Sequence, residues 1–204
     1  SGDSARIQNL ARVGQGRVYL DLGQLATAAD DVALVPPGFQ YVVQATWGFT
    51  TGNAIGEGGA TVANQEGGTG FPYLTSRDPR SADTTFSYSV FPNTYTVGFP
   101  EKYVMGLGGA FTAPFIVADW VEARLIQAEA ALQGGDVPTW LALLNQLRAT
   151  AAIPGTTAPD PDDLPPLTDP GESSTNPDSA RVALQFQERA EWLYLTGHRQ
   201  GDRP

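Results

Sequence analysis

Residues 4–35 repeat apolar side chains at the spacing of two amphipathic α-helices. The two apolar stripes are Leu10, Val13, Val18, Tyr19 and Leu22, then Leu25, Ala28, Ala29 and Val32. Gly23 lies between them, and glycine after a helix readily takes the left-handed conformation that ends it. Pro36-Pro37 prevents the second helix from continuing, because proline lacks the backbone N–H. The pattern predicts a helical hairpin with helices over 4–22 and 25–35.

Residues 116–150 predict a second helical hairpin by the same pattern. Its helices are expected over 116–133 and 138–150, with Gly134-Gly135 between them. Asp136 is suited to cap the second helix, and Pro138 fits its first turn. The apolar face of that helix consists of Trp140, Leu143, Leu144 and Leu147.

A shift of 112 residues aligns the two hairpins. It pairs Gly16 with Ala128, Gly23 with Gly135, Leu25 with Val137, and Val32 with Leu144. Small residues therefore recur where helices must approach closely. Gly16, Tyr19, Gly23 and Ala28 also match the Gly, Tyr, Gly and Ala positions of the tetratricopeptide consensus. The pattern predicts tetratricopeptide-like hairpins, and it also fits two ordinary helical hairpins.

The segment between the hairpins, residues 38–115, has a different composition. Eight glycines fall within residues 45–72, which favours loops. Further on, Phe86, Tyr88 and Val90 share one face at a period of two, and Tyr95 and Val97 continue a second run. Pro92-Asn93 between the runs is a turn signal. We expect a loop-rich insert that contains a short β-hairpin.

The C-terminal third combines a proline-rich loop with a last helix. Residues 152–180 hold seven prolines, six acidic residues and no basic residue, so 152–178 is predicted as a surface loop without a helix longer than one turn. The segment 179–197 is predicted as a helix. Its first turn is expected near Asn176 or Asp178, its last helical residue is expected at Thr196, and Gly197 is its stop. Its expected buried face consists of Val182, Phe186, Arg189 and Leu193. A buried arginine needs a partner, so we expect Arg189 to pair with Glu122 or Glu129.

The charge and composition exclude several classes of function. The 204 residues carry a net charge of −10, and Lys102 is the single lysine, so there is no basic stripe for nucleic acid. No cysteine is present, which rules out disulfides and cysteine-ligated metals. The single histidine, His198, is expected at a helix end in a structural role. We therefore expect no metal and no cofactor.

Three segments together resemble the SusD/RagB family of nutrient-binding outer-membrane lipoproteins. The first is IVADWVEARLIQAEAALQGGDVPTWLALLNQLRA, similar to the family's Arg-x-x-x-Ala-Glu-Ala helix, Gly-Asp turn and Leu-Asn-x-Leu-Arg helix. The second, ARVALQFQERAEWLYLTGHRQGD, is similar to its Glu-Arg and Gly-x-Arg-x-x-Asp segment. The third, VANQEGGTGFPYLTSRDPR, is similar to the Gly-rich loop that ends in Asp-Pro-Arg in some members. Because family members are much longer, residues 1–204 resemble only their C-terminal part.

The resemblance implies a mostly α fold with tetratricopeptide-like helical hairpins and a loop-built ligand face containing short β-strands. It implies non-catalytic capture of a glycan or other nutrient at the bacterial cell surface. The partner would be a TonB-dependent (SusC-like) transporter of the outer membrane. Association with the membrane would come only through a lipid anchor, which is absent from this chain.

The candidate ligand-binding residues are aromatic and amide side chains in the glycine-rich loops. They are Trp47, Phe49, Asn53, Phe71 and Tyr73. Sugars present apolar C–H faces that stack on flat rings, while amides bond the hydroxyl groups. The same rings could instead attach the long loops to the helical core.

Functions from other classes are also open at this point. A helical-repeat adaptor would bind a protein and keep the rings of the insert buried. A structural surface or filament component would show large subunit interfaces and no pocket. A glycoside hydrolase would need two carboxylates separated by about 5–9 Å. The glutamates that match the family motifs lie on helices alongside arginines, which favours ion pairing between helices; they are Glu122, Glu129, Glu188 and Glu191.

Overall fold

The structure is a computed structural model that describes residues 2–46, 78–81, 83–90, 93–100, 112–151 and 164–196. The chain forms two compact units. The helical unit comprises Ser1–Val42, Ile116–Ala152 and Ala158–Pro204. The insert unit comprises Val43–Phe115 and Ile153–Thr157. The described part is mostly helical, as the sequence predicts.

Five helices and four strands make up the described secondary structure. The helices are α1 (Gly2–Asp21), α2 (Leu25–Ala33), α3 (Trp120–Gln133), α4 (Val137–Thr150) and α5 (Pro177–Trp192). The strands are β1 (Gln40–Val43), β2 (Asp83–Val90), β3 (Asn93–Pro100) and β4 (Phe115–Asp119). Short 3₁₀ turns lie at Pro79–Ser81 and Pro170–Ser173.

The turn between α1 and α2 has the glycine-based geometry that the sequence predicts. Gly23 has a φ of 71°, in the left-handed region. Its N–H donates to the Leu20 carbonyl at 2.9 Å, and the Gln24 N–H donates to the Tyr19 carbonyl at 2.8 Å. These two bonds form a Schellman motif, which satisfies the last carbonyls of α1 and reverses the chain.

The turn between α3 and α4 repeats this geometry. Gly135 has a φ of 81°, and its N–H donates to the Leu132 carbonyl at 3.0 Å. The Asp136 N–H donates to the Ala131 carbonyl at 2.8 Å, and the Asp136 side chain then caps α4 by accepting from the Thr139 N–H at 3.1 Å. The two hairpins therefore share one turn at positions related by the 112-residue shift.

The buried positions of the two hairpins also correspond under this shift. α2 packs against both α1 and α3, and α3 packs against α4. The corresponding buried pairs are Val13 and Leu125, Gly16 and Ala128, Ala28 and Trp140, Val32 and Leu144, and Val35 and Leu147. Both hairpins thus use the same helix faces to build the core.

The predicted apolar stripe of α1 is wrong in its C-terminal half. Val18 and Leu22 are exposed, and the buried residues of α1 are Asn9, Val13 and Gly16. Gly16 explains the difference, because the absence of a side chain lets α2 and α3 approach this face closely. An apolar pattern cannot detect a helix face that is buried through a glycine.

The predicted start of the helix over 116–133 is also wrong, because residues 116–119 belong to strand β4. β4 pairs with β1, a strand that the sequence pattern did not predict. Asp119 has an extended backbone and caps α3 by accepting a hydrogen bond from the Glu122 N–H at 2.8 Å. The β-branched Ile116 and Val117 before it favour a strand over a helix.

The last helix begins as predicted but ends early. The Asn176 side chain accepts from the Ser179 N–H at the start of α5, and the 3₁₀ turn Pro170–Ser173 is the only helical segment between 164 and 176. α5 ends at Trp192 rather than at Thr196, and Leu195 takes a left-handed φ of 57°. Gly197, the predicted stop, lies outside the described residues.

The predicted β-hairpin is confirmed in the insert unit. β2 and β3 are antiparallel, and the register pairs Phe86 with Val97 and Tyr88 with Tyr95. Val90 pairs with Asn93, so Asn93 belongs to β3 rather than to the turn.

Candidate functional site

The five predicted ligand residues, Trp47, Phe49, Asn53, Phe71 and Tyr73, lie outside the described residues. His198 does so as well. Their roles therefore stay predictions from the sequence. Two groups of charged side chains can be described instead. One lies in the interior of the helical unit, and the other lies in the Asp78–Ser81 segment of the insert unit.

The predicted buried face is right for Arg189 and Leu193 and wrong for Val182, and most of the buried residues of α5 are polar. Val182 is 38% exposed, whereas Gln185, Glu188, Arg189 and Glu191 are each at most 7% exposed. A helix can bury such residues without a large penalty only when they are hydrogen-bonded or paired. The partners of Gln185, Glu188 and Arg189 come from α3 and α4.

Gln185 connects α5 with both helices of the second hairpin. Its side-chain oxygen accepts from the Trp140 indole N–H at 2.9 Å, and its amide donates to the Leu125 carbonyl at 3.3 Å. Both Trp140 and Leu125 are fully buried. The Gln185 amide therefore gives the buried indole N–H of Trp140 its hydrogen-bond partner, and its two bonds fix the position of α5 against α3 and α4.

Glu188 forms a two-bond ion pair with Arg148 of α4. The distances are 2.6 Å from Arg148 Nη2 to Glu188 Oε1 and 3.1 Å from Nε to Oε2. Arg148 Nη1 also donates to the Pro165 carbonyl at 2.8 Å. The Arg148 guanidinium therefore joins α4, α5 and the proline-rich segment at one point, and its planar fork suits this double contact with a carboxylate.

Arg189 pairs with Glu129, which confirms one of the two partners predicted for it. Arg189 Nη1 lies 3.4 Å from Glu129 Oε2, and both side chains are largely buried. This pair joins α5 to α3. The other predicted partner, Glu122, has a different arginine.

Glu122 pairs with Arg17 of α1. Arg17 Nη2 lies 2.6 Å from Glu122 Oε2, and Arg17 Nε donates to Glu122 Oε1. Arg17 Nη2 also donates to the Val117 carbonyl at 2.7 Å. Burial by itself would lower the pKa of Arg17, but the hydrogen bonds and charge of Glu122, with a contribution from Asp119, raise that pKa overall. The pair stays charged and ties α1 to α3.

The Asp-Pro-Arg segment of the insert unit holds a further internal ion pair. Arg80 is 1% exposed, and its guanidinium contacts Asp78 at 2.6 Å and 2.8 Å. The Arg80 backbone N–H also donates to the Asp78 carboxylate at 2.9 Å. The resemblance includes this segment, but the prediction assigned it no role. Its geometry stabilises a local turn.

The buried carboxylates of the helical unit have structural partners. Glu122, Glu129 and Glu188 each form an ion pair with an arginine of another helix. Within the described part of the chain, no three His, Cys, Asp or Glu side chains come close enough to hold a metal ion. The described helices also include none that is long and apolar enough to cross a bilayer.

A small cleft borders the Glu122 region. It encloses no space large enough for a water molecule and is lined by Ile116, Val117, Ala118, Asp119, Glu122, Leu193 and Thr196. Ligand pockets usually enclose about 300–1,000 Å³. The cleft is thus smaller than a typical ligand pocket, and its carboxylate already pairs with Arg17.

Comparisons of the chain with protein-family models, with curated proteins and with solved structures give no match.

Proposed function

We propose that this chain is a non-catalytic module that captures a glycan or another nutrient at a bacterial cell surface. In this proposal the fold is SusD-like, with tetratricopeptide-like hairpins that support a loop-built ligand face. The captured molecule passes to a TonB-dependent transporter in the outer membrane. The basis of the proposal is the resemblance of three sequence segments, together with the organisation of the helical unit.

The observation that best supports a scaffold role is the pairing of the buried charges. Arg17, Arg148 and Arg189 each form an ion pair with a glutamate on another helix. These pairs join α1 to α3, α4 to α5, and α3 to α5. Such pairs give a fixed frame rather than an acid and a base poised around a substrate. Ligand contacts are then left to the loops of the insert.

The repeated hairpins support the tetratricopeptide-like part of the proposal. They share one Schellman turn and one set of buried positions at a constant shift. In a repeat array each hairpin buries its apolar face against its neighbour, which leaves the connecting segments available for function. Here the connecting segment is the insert with its aromatic and glycine residues.

In this proposal the insert binds its ligand through flat rings. Trp47 is the first candidate, because it lies next to Gly48 at the start of the glycine-rich stretch and outside any helical stripe. Tyr73 is the second, since its hydroxyl can bond while its face stacks. Glycines nearby let the backbone come close to a sugar ring.

Trp47→Ala tests the proposal. An array of neutral oligosaccharides first identifies a ligand, and calorimetry then measures its affinity. Removing the ring should weaken binding by about 1–3 kcal/mol, which is about 5- to 150-fold in Kd, with little change in the melting temperature. Trp120→Phe is the matched control: Trp120 is 5% exposed in the core, so the melting temperature should fall while affinity stays unchanged.

The opposite pattern would contradict the proposed role of Trp47. If Trp47→Ala lowers the melting temperature strongly and leaves binding intact, the ring belongs to the core. Hydrolysis of a bound oligosaccharide that is abolished by one carboxylate substitution would contradict the non-catalytic part of the proposal.

A further inference from the structure

The chain enters and leaves the insert through two paired strands, β1 (Gln40–Val43) and β4 (Phe115–Asp119). We call this pair the stem. The far ends of the stem, Val43 and Phe115, are the first and last residues of the long insert segment. The contacts that hold the stem therefore fix the two points between which the insert chain runs.

The stem is too small to be stable by itself. Its strands have four and five residues, and a two-stranded sheet of this size is marginal in water. Holding together the ends of a long segment such as 44–114 also costs conformational entropy. The stem therefore needs contacts with neighbouring elements, and the structure shows such contacts with α1 and with the start of α3.

Arg17 of α1 binds the stem through β4. Its Nη2 atom donates to the carbonyl of Val117, in the middle of β4, at 2.7 Å. The same guanidinium pairs with Glu122 on α3, where Arg17 Nη2 lies 2.6 Å from Glu122 Oε2. Asp119, the last residue of β4, adds to the negative charge that raises the pKa of Arg17. One guanidinium thus joins α1, β4 and α3.

The other polar contacts of the stem lie at its base or are weaker. The Trp120 N–H donates to the Phe39 carbonyl at 2.9 Å, which closes the base of the stem next to α3. On β1, the guanidinium of the exposed Arg6 lies 5.5 Å from the centre of the Tyr41 ring. A cation–π contact at an exposed site contributes less than a hydrogen bond from a charged group. Arg17 therefore makes the strongest polar contact that the described residues form between α1 and the stem.

We propose that Arg17 is a positioning residue for the insert: it holds the stem, and so sets where the loops with the candidate ligand residues begin. Trp47, the first of those candidates, follows Val43 by four residues, a reach of at most about 14 Å. A ring stacks well on a ligand only when its backbone is held in the right place. This inference rests on the proposed capture function, in which the insert loops bind the ligand.

Hydrogen exchange of the full chain tests this role with two matched double variants. Arg17→Met with Glu122→Met removes the ion pair as a unit, so that neither charge is left buried without the other, and the Val117 carbonyl loses its donor. Arg148→Met with Glu188→Met is the control. Arg148 also makes two bonds to a glutamate and one to a backbone carbonyl, but it does so between α4, α5 and the proline-rich segment.

The first double variant should speed the exchange of the stem amides, in 40–46 and 115–119, by about tenfold or more, with little change in α4. The control should speed exchange in α4 and α5 instead and leave the stem unchanged. Arg17→Lys is a milder second variant. It keeps a positive charge for Glu122 but lacks the planar fork that reaches a carboxylate and a carbonyl together, so it should speed exchange in the stem alone.

The affinity for an oligosaccharide identified on the array is the second measurement. Arg17→Lys should raise Kd about fivefold or more, because a loosened stem adds an ordering cost to binding. The Arg148→Met, Glu188→Met control should leave Kd unchanged.

Unchanged stem exchange in both Arg17 variants would overturn the proposal, and so would equal acceleration throughout the chain in the Arg17 variants and the control. Unchanged affinity with a loosened stem would overturn it too. Exchange is measured without glycan. A chain that binds no oligosaccharide would therefore contradict the proposed capture, while the exchange pattern alone would still decide whether Arg17 holds the stem.

Discussion

Gly16 lies at the contact of three helices, and replacing it with alanine should destabilise the helical unit. A Cβ atom added at Gly16 would overlap the Cγ1 methyl of Val32 and would lie 3.4 Å from Ile126 Cδ1. Val32 cannot rotate away easily, because β-branched side chains in helices have one strongly preferred rotamer. Ile126 and Val32 are both fully buried, so little free space exists nearby.

Two effects of opposite sign set the magnitude for Gly16→Ala. Overpacking of a buried site costs about 1–3 kcal/mol. Replacing glycine by alanine inside a helix contributes about 0.8–1 kcal/mol in the stabilising direction. These two values give a net loss of up to about 2 kcal/mol in the free energy of unfolding.

Gly14→Ala is the matched control, because it makes the same chemical change two residues earlier in α1. A Cβ at Gly14 meets no heavy atom within 4 Å, so this variant should be stabilised by up to about 1 kcal/mol. Helix propensity cancels in the difference between the two variants. Urea melts followed by circular dichroism should therefore give a difference of about 1–3 kcal/mol, which reports the steric cost alone.

Equal stabilities of the Gly16→Ala and Gly14→Ala variants would refute this reasoning, because they would show that α2 and α3 do not pack on Gly16. A rescue experiment gives a second check. Val32→Ala removes the overlapping methyl, so the double variant should lose less than the sum of the two single losses. The expected coupling is at least about 0.5 kcal/mol.

Two further predictions concern the ion pairs. Arg189→Ala should reduce the free energy of unfolding by about 3–5 kcal/mol in urea melts, because it leaves the largely buried Glu129 without this partner. An unchanged urea midpoint would instead place Arg189 at the surface. Asp169 accepts from Arg181 and from the Gly171 N–H, and the Arg181 hydrogen bonds above all lower the Asp169 pKa. Its stabilising contribution should therefore be complete above the ordinary carboxyl pKa of about 3.9 and be lost as the pH falls through the lowered value. The difference in urea midpoint between the natural chain and Asp169→Asn should shrink on the acid side, whereas a pH-independent difference would contradict the assignment.

The helical hairpins could be predicted because their signals are local. At Gly23 and Gly135 the glycine N–H bonds the carbonyl three residues earlier, and the N–H of the next residue bonds the carbonyl five residues before it. Such turns depend on one residue type at one place. Asp136 and Asn176 cap helices in the same local way. The turn positions and most helix boundaries followed from these residues.

Long-range pairing explains what the sequence could not predict. β1 becomes a strand through its pairing with β4, which lies more than 70 residues away along the chain. The polar face of α5 is buried because Trp140, Arg148 and Glu129 lie opposite it. Apolar periodicity selects Val182 instead, since it carries no information about partners on other helices.

The site was predictable only in part. The pairing of Arg189 with Glu129 followed from the cost of burying an unpaired charge. The pairs Arg17–Glu122 and Arg148–Glu188 were missed, although Arg148 and Glu188 both lie in the segments that carry the family resemblance. Glutamates and arginines can be recognised along a sequence, but which of them meet depends on how the helices cross.

Native mass spectrometry of the chain with oligosaccharides tests the proposal of non-catalytic capture most directly. After an array has identified a ligand, the proposal predicts a one-to-one complex whose ligand mass stays intact through prolonged incubation, and which Trp47→Ala weakens. Shortened oligosaccharides that accumulate during incubation, or no bound oligosaccharide across the array, would contradict the proposal.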